Sequence, residues 1–322
     1  QFHQVDPMPY PVFDAAPYVL ALATRIAEVA ERHELDIVHA HYAIPHSTAA
    51  YLARVSSPRD FRVITTLHGT DTRLVGLDPS YRHIVKFSIE QSHGVTAVSQ
   101  YLRDASVKDF ALKCPVEVIP NFVDTNHFRP GICPRLRSML APGHEPLVVN
   151  VSNLRPVKGV LDVIRAHAII TRETGARLIV VGNGPEREAA ELLAGELGIA
   201  PRVTFVGQRD DVAPYLAASD VYLQAAKEES FGVAALEAQS AGLPAVAMRV
   251  GGLGESIADG ETGILTPVGC IEALAEAVIG LLRDDDQRHD IGTAARQRAI
   301  EQFDTQVILP QYEAYYEASR GR

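Results

Sequence analysis

Lys227-Glu228-Glu229-Ser230-Phe231-Gly232-Val233-Ala234-Ala235-Leu236-Glu237-Ala238 is the stretch from which the rest of the chain can be read. An apolar strand, Asp220 to Ala225, precedes it. The chain then turns at Glu229-Ser230-Phe231-Gly232 and opens an amphipathic helix, for which Ser230 is the expected N-cap. The unpaired N–H groups of such a helix start favour an anion above the strand ends. Glu229 and Glu237 bracket the turn with seven residues between them. Alone, the pair has a bland reading: a first-turn acid complementing the helix dipole, and a solvated helix residue.

The surrounding pattern weighs against the bland reading. Strands and helices alternate on both sides of the stretch. In the first half, strands are predicted at Asp36–His41, Phe61–Leu67, Gly94–Val98 and Val116–Ile119. In the second half they are predicted at Leu147–Val151, Arg177–Val181, Val203–Val206, Val221–Gln224, Ala245–Ala247 and Gly263–Leu265. Helical spacing fills the gaps, and three helices close the chain at Cys270–Leu282, Gln287–Gln302 and Thr305–Ser319. This alternation means parallel sheets covered on both faces, an α/β chain of two doubly wound, Rossmann-like domains. Arg135 to Glu145, with Pro142 and Gly143, reads as the boundary. The division expected is an acceptor-side domain over 1–130, a second domain over 131–304, and a final helix, 305–322, returning to the first. Ligands of open α/β sheets sit outside the carboxyl ends of the strands. His41, His68, Arg155, Gly182 and Glu229 all fall there. A cleft between two such sheets is the expected site.

Length and composition agree with this division. A chain of 322 residues exceeds one ordinary domain, and 47% hydrophobic with 22% charged residues is globular protein. A net charge of −10 does not read as a nucleic-acid binder. Cys114, Cys133 and Cys270 are scattered with no Cys-x-x-Cys pair, so reduced thiols, no cysteine metal site and a cytoplasmic setting are expected. No apolar run is long enough to span a bilayer, and no signal peptide is visible. Residues 1–17 are proline-rich and aperiodic, an irregular opening segment.

Two groups of residues carry chemistry. In the second half, Ser152-Asn153-Leu154-Arg155-Pro156-Val157-Lys158-Gly159 joins a strand to a helix. Arg155 and Lys158 there can clamp a diphosphate, the guanidinium by a two-pronged contact and the ammonium as a point charge. They are otherwise two solvated cations. Gly182-Asn183-Gly184-Pro185 is a second turn at the same topological level. Glu237 could accept both hydroxyls of a ribose, with Glu229 facing a sugar or reacting group. In the first half, His39 and His41 share a strand face, and His46 is near. A metal reading of this group is set aside because no carboxylate or cysteine completes a ligand set. Tyr42, Thr65, Thr66, His68 and Thr70 line strand ends, and Lys86 and Arg73 are cations that could face the same place. Together they could hold an anionic acceptor. Otherwise the threonines are strand formers and Lys86 is a solvated helix residue. No Gly-x-Ser-x-Gly or Walker A sequence is present, and Gly251-Gly252-Leu253-Gly254 lacks the dinucleotide fingerprint.

With these residues in view, the chain resembles the retaining glycosyltransferases of GT-B architecture, glycosyltransferase group 1, family 4. Glu229 and Glu237, preceded by Arg155 and Lys158 and followed by Gly251-Gly252, carry the resemblance over the second half. In the first half it rests on His39-Ala40-His41-Tyr42-Ala43-Ile44-Pro45-His46, Thr65-Thr66-Leu67-His68-Gly69-Thr70-Asp71, Val95–Ser99 and Asn121-Phe122-Val123-Asp124. These are similar to the branch that starts bacillithiol biosynthesis. The resemblance implies transfer of N-acetylglucosamine from UDP-GlcNAc to the hydroxyl of L-malate, with retained configuration and no metal or other cofactor.

The resemblance also implies site roles. Asn153, Arg155, Lys158, Gly182, Glu229, Ser230, Phe231, Gly232 and Glu237 would bind the sugar nucleotide. Within that set Arg155 and Lys158 would hold the diphosphate, Glu237 the ribose and Glu229 the sugar. His68 would lie against the transferred sugar, and with Arg155, Lys158 and Glu229 it forms the catalytic set. Tyr42, Thr65, Thr66 and Lys86 would take the acceptor. A homodimer is compatible. Two departures stand out. The family opens with a strand, a Gly-rich loop and a helix before anything matching Gln1, about 50 residues by usual βα sizes, and a chain lacking them is expected to show poor activity. Gly254 stands where the family often has Pro, with little effect expected. A transferase with another acceptor or sugar nucleotide, and a sugar-nucleotide-binding module without catalysis, are the competing readings.

Overall fold

The computed structural model describes residues 1–8 and 17–320. Residues 9–16 of the irregular opening segment, and residues 321–322, lie outside the described residues. The chain divides into two compact units, Gln1–Pro120 with Leu309–Arg322, and Asn121–Ile308.

The first unit holds a four-stranded parallel sheet: β1 (Ile37–His41), β2 (Arg62–Leu67), β3 (Gly94–Ala97) and β4 (Glu117–Val118), in the order β1-β2-β3-β4. β2 is central, and its Val63 to Leu67 are all buried. Helices Tyr18–Arg32 and Thr48–Ser56 cover one face through small residues, Ala23, Ala30, Ala49, Ala50 and Ala53. Alanines let the helix axes approach the strands closely. Ser99 caps the Gln100–Phe110 helix by accepting the Leu102 N–H at 3.1 Å.

The second unit holds a six-stranded parallel sheet: β5 (Leu147–Val151), β6 (Arg177–Val181), β7 (Val203–Gly207), β8 (Val221–Gln224), β9 (Ala245–Met248) and β10 (Gly263–Thr266). The order is β10-β9-β8-β5-β6-β7, so the direction of winding reverses between β5 and β8. That reversal is the switch point at which open α/β sheets place their ligands. β5, β8 and β9 are buried nearly throughout because helices cover both faces. Each fully buried Val, Leu or Ile there contributes about 1.5–3 kcal/mol relative to exposure.

Two sequence expectations differ from the structure. The expected division at residue 130 falls ten residues too late, because residues 121–130 are tied into the second unit. The Val123 N–H donates to Phe303 O at 2.9 Å and the Thr305 N–H to Val123 O at 3.1 Å. Thr125 Oγ1 adds a 2.6 Å bond to the Asp304 carboxylate. Residues 135–145 are not a linker either. Residues 135–140 lie in the short helix Pro134–Leu140, Arg137 donates to Ala218 O at 2.8 Å, and Glu145, just after the turn that follows, faces Arg177 and Arg202. The last helix, Thr305–Arg320, groups with the first unit from Leu309 onward. There the Tyr315 hydroxyl donates to Val95 O at 3.2 Å, and Arg320 pairs with Asp36 at 2.8 Å.

Candidate active site

In the second unit the order β8-β5-β6 sets three strand-to-helix turns side by side. Two glycines make their close packing possible. A Cβ on Gly159 would lie 2.1 Å from Ala225 O, and one on Gly182 would lie 1.8 Å from Ser152 O. Both also take positive φ, +64° and +128°. The turn after β5 therefore rests on the turn after β8, and the Lys227 N–H donates to Val157 O at 2.8 Å. Leu154 is fully buried and pins the first turn from below, leaving Asn153 and Arg155 exposed.

This packing brings Lys158 to Glu229. The ammonium lies 2.7 Å from Glu229 Oε2, and both side chains are largely buried. The Ser230 N–H reaches Glu229 Oε1 at 3.2 Å, and Gln224 Nε2 donates to Oε2 at 3.0 Å. The Gly252 N–H holds the Glu229 main-chain carbonyl at 2.9 Å, which gives the Gly251-Gly252 turn its role. Phe231 is buried and meets the Phe303 ring edge-on at 5.6 Å. Ser256 Oγ donates to Phe231 O at 2.8 Å. The loop below the helix is thus fixed by side chain and main chain alike.

Ser230 is not the helix cap. The helix is Val233–Ser240, and Gly232 stands at its N-cap in the left-handed region, φ +92°. Glu237 lies one turn in. Burial raises its pKa to about 7, opposed by nearby His127. Such a carboxylate is ready to accept hydroxyl hydrogen bonds that replace its lost water. With two cations, exposed turns and two carboxylates, this end of the sheet can hold an anion that also carries hydroxyls.

The first unit presents a histidine cluster at the ends of β1 and β2. The His39 and His41 rings are 4.3 Å apart, so they share a strand face as their spacing predicts. His41 Nδ1 and His68 Nε2 are 2.8 Å apart, and the Tyr42 ring lies 4.8 Å from that of His68. Burial, then the neighbouring imidazoles, lowers His68 to about 4 and His39 to about 3. Both are neutral near pH 7, and burial, then His46, lowers His41 as well, so in the His41–His68 bond one neutral ring donates and the other accepts.

Asp71, which sequence reading left without a role, organises this corner. Its buried carboxylate accepts the N–H groups of Ala43 (2.7 Å), Gly69 (2.9 Å) and His68 (3.2 Å), tying the loop after β1 to the loop after β2. A short-range signal existed in the Gly69-Thr70-Asp71 turn chemistry.

The expected acceptor group is only partly assembled. Thr65 and Thr66 are fully buried and face opposite sides of β2. Thr65 Oγ1 donates to Ser47 Oγ at 2.8 Å, whereas Thr66 Oγ1 bonds His39 Nε2 at 2.7 Å and Thr96 Oγ1 at 2.6 Å. Successive strand residues cannot line one pocket. Lys86 is also placed otherwise than expected. Its ammonium donates to Glu90 Oε1 (2.9 Å), Phe110 O (2.7 Å) and Ala111 O (2.7 Å), which uses its three hydrogens to close the end of the Gln100–Phe110 helix. Arg73 pairs with Asp109 and lies over the Tyr101 ring at 5.8 Å. Tyr42 and His68 remain at the strand ends.

Among the described residues no group of three or more His, Cys, Asp and Glu side chains is arranged to hold a metal ion. No helix among them is long and apolar enough to cross a membrane.

Residues 136–298 match the family of glycosyl transferases group 1, and residues 1–127 match glycosyltransferase family 4. The chain is 41% identical to N-acetyl-alpha-D-glucosaminyl L-malate synthase of Bacillus anthracis, over 98% of this chain and 83% of that protein. It is 31% identical to a GDP-mannose-dependent alpha-(1-6)-phosphatidylinositol monomannoside mannosyltransferase of Mycobacterium tuberculosis, over 87% of this chain and 75% of that one. Its fold matches the crystal structure of Anabaena Alr3699/HepE in complex with UDP and glucose. There the TM-score is 0.81 and the identity 25%, over 97% of this chain and 84% of that one. A match through half the chain to one family, with a near full-length relative at 41% identity, is decisive: the chain belongs to the glycosyl transferases group 1 family and is a GT-B glycosyltransferase.

Proposed function

We propose that this glycosyltransferase moves N-acetylglucosamine from UDP-GlcNAc onto the hydroxyl of L-malate. The single observation that carries the reading is the 41% identity to the N-acetyl-alpha-D-glucosaminyl L-malate synthase of Bacillus anthracis over 98% of the chain. In the proposed site Arg155 and Lys158 take the diphosphate and Glu237 the ribose. Glu229 takes the sugar hydroxyls, and Asn153, Gly182 and the Ser230-Phe231-Gly232 turn line the rest. Tyr42 and His68 are the proposed residues of the first unit. In the reaction the bond from the sugar C1 to the UDP oxygen breaks and a bond from C1 to the malate oxygen forms. The malate hydroxyl proton passes to the departing phosphate oxygen, and configuration is retained. Cations at the leaving group lower the barrier by stabilising the charge that develops there. No metal is needed in this scheme. The three cysteines are free thiols, which supports a reducing, cytoplasmic setting.

A second reading has a specific observation behind it. The chain is also 31% identical to a mannosyltransferase that uses GDP-mannose, and Thr65, Thr66 and Lys86 do not assemble an acceptor pocket. A panel of donors and acceptors separates the two readings by nucleotide release. The proposal expects UDP release from UDP-GlcNAc that depends on L-malate. Release of UDP or GDP with other acceptors, and none with malate, would overturn it.

A further inference from the structure

β8 is buried over its whole length, yet two of its four residues end in polar groups. Tyr222 and Gln224 are alternate residues and share one face of the strand. A buried polar group is costly unless it is bonded, and these two bond in series. The Tyr222 hydroxyl donates to Gln224 Oε1 at 3.1 Å, and Gln224 Nε2 donates to Glu229 Oε2 at 3.0 Å. The series fixes the amide, because its oxygen is committed to the tyrosine and only its nitrogen faces the carboxylate. Glu229 Oε2 thus has two donors of different kinds. One is the flexible, charged Lys158 at 2.7 Å, and the other is a neutral amide fixed in the sheet. Burial, and then the charges of Glu229 and Glu237, push the Tyr222 hydroxyl well above its ordinary range, so it stays protonated and remains a donor.

We propose that Gln224, backed by Tyr222, is the positioning residue for Glu229, holding the carboxylate in place while Lys158 turns to the donor diphosphate. This rests on the roles given above to Glu229 and Lys158. Lys158 can bridge both partners with its three N–H groups, but a phosphate group competes for the same charge and weakens its hold on the carboxylate. Without Gln224, Glu229 would then keep only that shared lysine and the 3.2 Å bond from the Ser230 N–H. Gln224 carries no charge, so it anchors the carboxylate without competing for the phosphates. Glu237 is hydrogen-bonded by neither residue in this arrangement, so the ribose end does not depend on it. Sequence reading passed over Gln224 as the last residue of an apolar strand.

The test uses the full chain with UDP-GlcNAc and L-malate, comparing Q224M, Y222F and E229Q with the wild type. Q224M removes the amide at nearly constant side-chain length, and Y222F removes only the hydroxyl. A misplaced reacting group costs up to about 100-fold in rate. Q224M is therefore expected to lower kcat by about 10- to 100-fold, with the Kd for UDP, measured by calorimetry, within about twofold of wild type. Y222F is expected to follow in the same direction with a smaller loss, and it decides the matter on the same criteria if Q224M does not fold. If E229Q loses turnover while Q224M and Y222F keep theirs, the positioning role is overturned and the reading of Glu229 stands. If E229Q keeps full turnover, the reading of Glu229 fails and the proposal with it. Parallel loss of UDP affinity and turnover in Q224M would mark a merely structural residue and also overturn the proposal.

Discussion

The Lys158 ammonium sits 2.7 Å from Glu229 Oε2, so the cation assigned to the diphosphate is paired with the carboxylate assigned to the sugar. The pair keeps two partly buried charges compensated before a ligand arrives. Lys158→Ala removes the leaving-group cation, and turnover should fall about 10²- to 10³-fold. Stability should change little, because Glu229 keeps its bonds from Gln224 and the Ser230 N–H. The double variant Lys158→Ala/Glu229→Gln should lose about the product of the two single losses, since in the loaded site the lysine serves the diphosphate while Gln224 keeps the glutamate on the sugar. Rates from nucleotide release check this, and a double variant no worse than the poorer single variant would show that the pair acts as one unit and that Lys158 does not leave Glu229.

Glu237 gives a pH dependence with a definite sign. Its folded pKa of about 7 lies above the ordinary 4.5, so the native chain holds this proton longer than the unfolded chain does. The resulting stabilisation of the ligand-free fold is complete below pH 4.5 and is lost as pH rises through 7. Glu237→Gln stays neutral, so it should melt at a higher temperature than the wild type at pH 8. The same variant should bind UDP about tenfold more weakly at pH 8, having lost a charged acceptor. The wild type's advantage over Glu237→Gln should shrink from pH 8 to pH 6, and comparing the two cancels the titration of UDP itself. An advantage that does not vary with pH would remove Glu237 from the ribose.

Asp71 should matter to the first unit and not to nucleotide binding. Asp71→Ala leaves the N–H groups of Ala43, Gly69 and His68 without their common acceptor. Each unsatisfied buried group costs about 1–3 kcal/mol, although water can enter the space. A destabilisation of about 2–4 kcal/mol in denaturant titration, with UDP affinity unchanged, is expected. Unchanged stability would refute the organising role.

For Lys86 the structure reverses the expectation drawn from sequence. Lys86→Ala should leave the malate requirement within about twofold and lower the melting temperature, because the carbonyls of Phe110 and Ala111 lose their cap. A large rise in the malate KM would return Lys86 to the acceptor pocket.

Much of this arrangement could be read in the sequence, for identifiable reasons. β5, β6 and β8 begin and end where predicted because buried parallel strands are continuous apolar runs closed by glycine turns or polar loops. Gly159 and Gly182 sit in those turns, and Arg155, Lys158 and Glu229 follow from them. The failures are equally physical. Ser230 looks like a cap, but Gly232 takes that position because a left-handed residue is needed there. The opposite facing of Thr65 and Thr66 was implicit in the two-residue period of a strand, whereas the aim of Lys86, at the end of a flexible stem, was not. Gln224 was hidden by its apolar neighbours, although a lone polar residue in a buried strand is itself a signal. Residues 121–130 were assigned to the wrong unit because pairing between Val123 and Asp304 is a contact across almost the whole second unit, which local patterns do not carry.

The central claim is tested most directly by isolating the product formed from UDP-GlcNAc and L-malate and determining its mass and anomeric configuration by mass spectrometry and NMR. The account expects one N-acetylglucosaminyl malate, joined through the malate hydroxyl in the α configuration, and one UDP per product. A β-linked adduct would contradict retention, and free N-acetylglucosamine without any malate adduct would contradict the acceptor.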